Sequence, residues 1–431
     1  MIRGGDRMRL GPALACLTVS TCVLAACATG TISPMGAGVP PFTPDADERA
    51  LWSRAAREHA VLAERAWVYV DPLLADYLTR IVERLLPASV KAAGAPGPKL
   101  VVLADPTLNA FTLPDGRIYL HTGLLSRLEN EAQLAAVLSR ELIHYVYRHT
   151  LQRVRAHGAA GALDVIGDVA RVGASAAAGV DGIREDGAAV LSRTAVAILG
   201  RRLQLSALGA LEGHGSRMER QADREGLRWL AAAGWDSGEM QRVFARLAES
   251  APDGGRMELF RLGRVAGLRE RVASVRWVLD ARPSGVSAAT GAATASEEFG
   301  ARLLPVVREN AWLDVRAGRF VLARRQLDRV LTANPADPVA HVYDGDWHRL
   351  LAQRTRSAEA RAVDEARARE HYERAAELDP TYAEPFRGLG LLYYQANDPA
   401  KARAAFERYL TLKPDAPDGR RIREYVVELT R

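Results

Sequence analysis

Cysteine is nearly missing from this 431-residue chain, and its three copies, Cys16, Cys22 and Cys27, all fall within the first 27 residues. The rest of the chain has no thiol, which excludes a disulfide framework. Aromatic residues are sparse at 6%, and the positive charge is almost all arginine, scattered without an aromatic-basic cluster. With a net charge of only +6, that pattern argues against nucleic acid as a partner. Long apolar runs are absent too. Leu10 to Ala26 is short and broken by Gly11 and Pro12, and the Ala/Gly/Val-rich stretch 156–212 is interrupted by Asp164, Asp168, Arg171, Arg193, Arg201 and Arg202, so neither reads as a membrane span. What remains, 48% hydrophobic and 26% charged, fits a globular protein of two or three domains.

The ends and joints are marked by composition. Arg3, Arg7 and Arg9 precede the apolar leader, and Leu24-Ala25-Ala26-Cys27 resembles a bacterial lipoprotein signal cut before a cysteine that receives lipid. The expectation is a signal peptide over 1–26, lipidation at Cys27 and, with Ala28 rather than aspartate next to it, an outer-membrane lipoprotein on the periplasmic side. The leader holds three arginines and one aspartate, so removing it leaves a charge of +4. Residues 27–47, rich in Gly, Pro, Ser and Thr, read as a flexible tether, and 283–298 as a linker between two domains, 48–282 and 299–431.

Within the first domain, Asp71-Pro72 opens a helix with Leu73, Tyr77, Ile81 and Leu85 at helical spacing. Strands are expected over Leu100 to Leu103 and Ile118 to His121, the second after the turn Pro114-Asp115-Gly116. Asn130 with Gln133 three residues on caps a helix that continues to His149. The 156–212 stretch reads as a helical hairpin near the site. In the second domain Phe386, Leu389, Gly390, Tyr393, Ala402, Phe406 and Pro414 match the tetratricopeptide pattern, and Ala368, Tyr372, Ala375, Pro380 and Gly318, Ala323, Leu327, Pro335 repeat it. The spacing implies an 11-residue insertion around Gln353 to Asp364. Such helix pairs form a concave surface that takes protein or peptide partners.

The chemistry is concentrated in Arg140-Glu141-Leu142-Ile143-His144, an H-E-x-x-H helix motif with arginine at its first position. In the intact motif two histidines one turn apart reach one metal and the glutamate takes a proton from the metal-bound water. Arginine has no lone pair to give. A third ligand is offered by Glu219 in Glu219-Arg220-Gln221-Ala222-Asp223.

Together with Asn109-Ala110-Phe111, Gly123-Leu124-Leu125, Arg148-His149 and Ala233-Gly234-Trp235-Asp236, in that order, these segments resemble the HtpX and BepA-like zinc metallopeptidases over about residues 48–250. The lipoprotein signal and the repeats resemble the BepA-like branch. The resemblance implies an α+β, mostly helical zincin-like domain with a small sheet, followed by an α-helical tetratricopeptide array. It implies zinc as cofactor, ligands at positions 140, 144 and 219, a general base at Glu141 and an orienting role for Asp223. It also implies a substrate-pairing edge strand at Arg117, Ile118, Tyr119, Leu120 and His121. The histidine-proline pair expected before Glu270-Arg271 is missing.

A guanidinium about 4 Å from zinc, at an effective dielectric near ~20, repels it by about 8 kcal/mol. His149, about 140° round the helix from His144, is a poor substitute ligand; His121 and His214 stay open. Arg140 instead suits the place of the metal itself, pairing with Glu219 and bridging toward Asp223 or Glu141. Two functions follow: a non-catalytic binding or assembly factor that uses its cleft and repeats, or an atypical zinc metalloendopeptidase working on misfolded envelope proteins through Glu141, His144 and Glu219.

Overall fold

The computed structural model describes residues 32–37, 41–64, 68–156, 216–250, 265–280 and 297–430. The leader, Cys27, His214, the 156–212 hairpin beyond residue 156 and the linker up to 296 lie outside the described residues. Helix α1 is Ala46–Glu64 and α2 is Pro72–Leu85. Asp71 caps α2, accepting from the backbone N–H of Leu73 and Leu74 at 3.0 and 3.1 Å, and Pro72 occupies the first turn where no donor is needed. Its buried face is Leu74, Tyr77, Leu78, Ile81, Val82 and Leu85. Leu73, expected on that stripe, is 58% exposed, because a fourfold step from Tyr77 carries it away from the centre of the face set by Leu74, Leu78 and Ile81.

A short helix α3, Ala88–Lys91, leads into the sheet: β1 Lys99–Leu103, β2 Ala110–Thr112 and β3 Arg117–His121, in the order β1-β3-β2. β3 runs parallel to β1 and antiparallel to β2. The strand expected at the edge, Arg117 to His121, is therefore the centre of the sheet. Ile118, Tyr119 and Leu120 are wholly buried, as a strand covered on both faces requires. β2, too short to show a period, was not predicted; the tight turn at Gly116 (φ 84°) folds it back onto β3.

α4, Thr122–Leu125, precedes α5, Glu131–Val146, whose residues are all buried. Asn130 accepts from the Gln133 N–H at 2.9 Å, and the Gln133 side chain accepts from the Glu129 N–H, a capping box displaced by one residue. α2, β2 and helices α6 (Ser216–Ala232) and α7 (Gly238–Ser250) surround α5, and α8 (Val265–Asp280) closes over α6 and α7. α5 does not continue to His149. It ends at Tyr147, Arg148 takes φ 56°, and helix resumes over 149–156. Part of the expected tether is docked: the Met35 N–H donates to the Val146 carbonyl at 2.9 Å, the Phe42 N–H to Ala93 at 2.7 Å, and Met35 is buried against Tyr145 and Val146.

The repeats are α9 Glu297–Arg316, α10 Phe320–Ala333, α11 Pro338–Ala352, α12 Ala358–Leu378, α13 Glu384–Gln395, α14 Pro399–Leu412 and a final α15 Gly419–Glu428. The insertion is absorbed as extra length in α12, 21 residues long and capped by Ser357. Glycine is needed at Gly388 and Gly390, where a methyl would strike the rings of Tyr372 and Phe406. The array is fused to the first domain, and residues 32–431 cluster as one unit. Phe299, Leu303 and Val306 of α9 lie in the same apolar core as α2 and α5. Thr122 donates to Asn310 at 3.0 Å, and Arg319 and Arg329 donate to the carbonyls of Pro106 and Leu128 at 3.1 and 3.2 Å. Leu303→Ala is expected to cost about 2–5 kcal/mol and to lower the urea midpoint of both domains in one transition; two separated transitions would contradict a shared core.

Candidate active site

The motif lies in the most enclosed helix of the fold. α5 puts Arg140, Glu141 and His144 at 5%, 2% and 4% exposure, and α6 brings Glu219 and Asp223, one turn apart, against it. Gly226, on the same face of α6, makes the approach possible: a Cβ there would sit 3.1 Å from Ser139 Oγ and 3.3 Å from the Arg140 nitrogen.

The guanidinium of Arg140 meets all three carboxylates. Nη1 donates to Glu141 Oε1 at 2.7 Å, Nε to Asp223 Oδ1 at 3.2 Å, and Nη2 to Glu219 Oε2. A second guanidinium, Arg271 of α8, also binds Glu219 and reaches both Asp223 oxygens at 3.4 Å. Three carboxylates thus share two fixed cations. The pKa of Arg140 is raised, since the neighbouring Glu219, Glu141 and Asp223 outweigh its burial. Burial pushes the carboxyls of Glu141 and Asp223 upward, against the pull of the two arginines.

Both oxygens of Glu141 have a hydrogen-bond donor beside them. Oε1 accepts from Arg140, and Oε2 accepts from the Thr112 hydroxyl at 3.0 Å. His144 is better preserved. The left-handed turn at Arg148 swings His149 back so that the two Nδ1 atoms are 2.9 Å apart. That correction overrides the 140° expected of a continuous helix. His149 Nε2 lies 3.4 Å from the Gln221 side-chain oxygen, one of the two Nδ1 atoms donates to the other, and His144 Nε2 is 4.0 Å from Glu219 Oε1. Burial holds His149 neutral, with its pKa lowered to about 4.

His121 is tied elsewhere, its Nδ1 2.9 Å from the Thr107 hydroxyl and 3.5 Å from Asp105. Of the predicted site residues, Glu141, His144, Glu219, Asp223 and Arg140 converge, while Arg117 to His121 do not offer an edge. Among the described residues β2 is the outer strand of the sheet on the side of Glu141, with Ala110 and Thr112 buried and Phe111 half-buried. Thr112 and Arg271 were missed as parts of the site and His149 was set aside as a ligand; Arg271 had a signal in the Glu-Arg pair and His149 in the Arg148-His149 segment, while Thr112 had none.

As a zinc site the donor set does not fit. The first ligand position holds a donor-only guanidinium, and its positive charge lies against one oxygen of each of the three carboxylates, where it repels a metal cation. Arg140→Gln leaves those carboxylates with one cation and is expected to cost about 3–5 kcal/mol at neutral pH. Because carboxyls raised above their unfolded pKa stabilise the fold below that value and lose this as pH rises, the deficit should shrink toward about pH 4 in urea titrations.

Comparison with known proteins agrees with this architecture. The profile of peptidase family M48 matches residues 72–263, and a tetratricopeptide repeat profile matches 356–426. The beta-barrel assembly-enhancing protease of Yersinia pestis is 28% identical over 184 residues, 42% of this chain and 34% of that protein. Its Escherichia coli K12 counterpart is 25% identical over 181 residues, and the mitochondrial metalloendopeptidase OMA1 of Schizosaccharomyces pombe is 38% identical over 90 residues, 20% of this chain and 27% of that protein. The chain thus spans about a third of the length of these relatives. M48 peptidases typically bind zinc, and no helix among the described residues is long and apolar enough to cross a membrane. The profile matches thus give this chain a peptidase family M48 region over 72–263, which holds the motif helix and the Glu219–Asp223 helix, followed by a tetratricopeptide region over 356–426.

Proposed function

We propose that this chain is a non-catalytic M48 relative: an outer-membrane lipoprotein, held through Cys27 on the periplasmic side, that binds protein rather than cutting it. The observation that carries this reading is the Arg140 guanidinium bonded to Glu141, Glu219 and Asp223 together. A cation fixed in the chain stands where the family places zinc, and the Glu141 carboxylate that would activate water has both oxygens engaged. No hydrolytic step is assigned to the site.

The binding role rests on two surfaces. The outer edge of β2 offers backbone groups for an extended chain, and the repeat array suits a protein or peptide partner. The names of the bacterial relatives suggest assembly or quality control of envelope proteins as the setting. One observation favours the second reading, an atypical zinc endopeptidase: His144 Nε2 and Glu219 Oε1 face each other at 4.0 Å, as two ligands of one ion would.

The test compares wild type with Arg140→His, prepared identically, for zinc per chain by elemental mass spectrometry and for casein cleavage. The histidine version is expected to hold about one zinc more than wild type, to lose that increment with Glu219→Gln, and to gain cleavage that wild type lacks. Casein cleavage by wild type that Glu141→Gln abolishes would refute the non-catalytic reading.

A further inference from the structure

A second cluster of metal-ligating side chains stands far from the motif, in the middle of the repeat array. Asp344 and His348 lie one turn apart on α11, and His371 faces them from α12. Their ligand atoms all fall within 4.8 Å of one another: His348 Nε2 is 3.8 Å from Asp344 Oδ1, and His371 Nε2 is 3.5 Å from Asp344 Oδ2. Tetrahedral zinc with bonds of about 2.0–2.1 Å needs ligand atoms about 3.3 Å apart, so small side-chain rotations complete the set.

The hydrogen bonds behind the cluster fix which nitrogens face it. His348 Nδ1 is 2.9 Å from Asp364 Oδ1, and a carboxylate only accepts, so the ring proton is on Nδ1 and Nε2 is bare. His341 Nε2 donates to the Pro335 carbonyl at 3.0 Å, so its Nδ1 accepts from His371 Nδ1 at 3.0 Å and His371 Nε2 is bare as well. With both rings neutral, two imidazole Nε2 atoms converge on one carboxylate, the geometry that a shared metal ion takes. The backing of each ligand histidine by a carboxylate or a second ring is how metal ligands are oriented.

Arg324 pairs with both Asp344 oxygens, yet each oxygen retains a second lone-pair direction for the histidine side. Asp328, Asp344 and Asp364 against Arg324 leave a local charge of −2. Asp364 lies at the end of the segment that the 11-residue insertion adds, so the unusual length of this repeat supplies the residue that orients His348.

We propose that Asp344, His348 and His371 bind a divalent transition-metal ion of the zinc class, clamping α11 to α12. Two imidazoles and one carboxylate select such an ion over magnesium or calcium, and the clamp stiffens the centre of the array.

The experiment uses the full chain in detergent, stripped with EDTA and titrated with zinc chloride against a chromophoric chelator. Wild type should bind one zinc. His348→Gln and His371→Gln should weaken binding by more than about 100-fold and Asp364→Asn by about 10–100-fold, while Glu219→Gln leaves it unchanged. Cobalt should give the visible absorption of a tetrahedral ion, and zinc should raise the Tm of wild type but not of His371→Gln. Far-UV circular dichroism checks that the variants fold; Asp364→Asn, which removes no ligand, decides if they do not. No saturable zinc binding, or binding unaltered in all three variants, overturns the site. Zinc that leaves with Glu219→Gln rather than His371→Gln overturns it too, and with it the non-catalytic reading; zinc that leaves with His371→Gln leaves that reading standing.

Discussion

A charge cannot be buried in a protein core without a partner, and the interior of this domain is arranged around that constraint. α5 has no solvent-facing side, yet it carries Arg140 and Glu141 at its centre. Their burial is tolerable only because α6 brings Glu219 and Asp223 to the same point and α8 adds Arg271. The packing of three helices is thereby fixed in register by ion pairs as well as by shape. Gly226 and the cap at Asn130 serve the same end, one letting the helices approach and the other setting where α5 begins.

The repeat array belongs to this arrangement. α9 contributes Phe299, Leu303 and Val306 to the core that holds α2 and α5, and Asn310 reaches across to Thr122 beside β3. The repeats are therefore continuous, through one apolar core, with the helix that carries the motif.

Much of this was legible where local rules govern. Asp71-Pro72 and Asn130 with Gln133 announce helix starts through donors that must be satisfied, and the small and aromatic positions of the repeats, Gly390 against Phe406 among them, follow from close helix packing. The carboxylates around Arg140 were readable from the degenerate motif, which holds Glu141, and from the family resemblance, which implied Glu219 and Asp223. What failed was nonlocal. The place of β3 in the sheet depends on where β1 and β2 pair, and β2 is three residues long. His149 was misplaced because a non-glycine residue, Arg148, adopts a left-handed turn that its ion pair with Glu48 and its position over the Phe42 ring help hold. Arg271 joins the site only through the fold-back of α8.

The Arg140 network also changes what this fold owes to its surroundings. A zinc peptidase depends on metal supply, since a chelator or a competing ion can strip or poison its centre. Here the central cation is part of the polypeptide, made at translation and never exchanged. On the non-catalytic reading proposed above, the domain's architecture is insulated from swings in metal availability, because its central charge pairs do not wait on an ion.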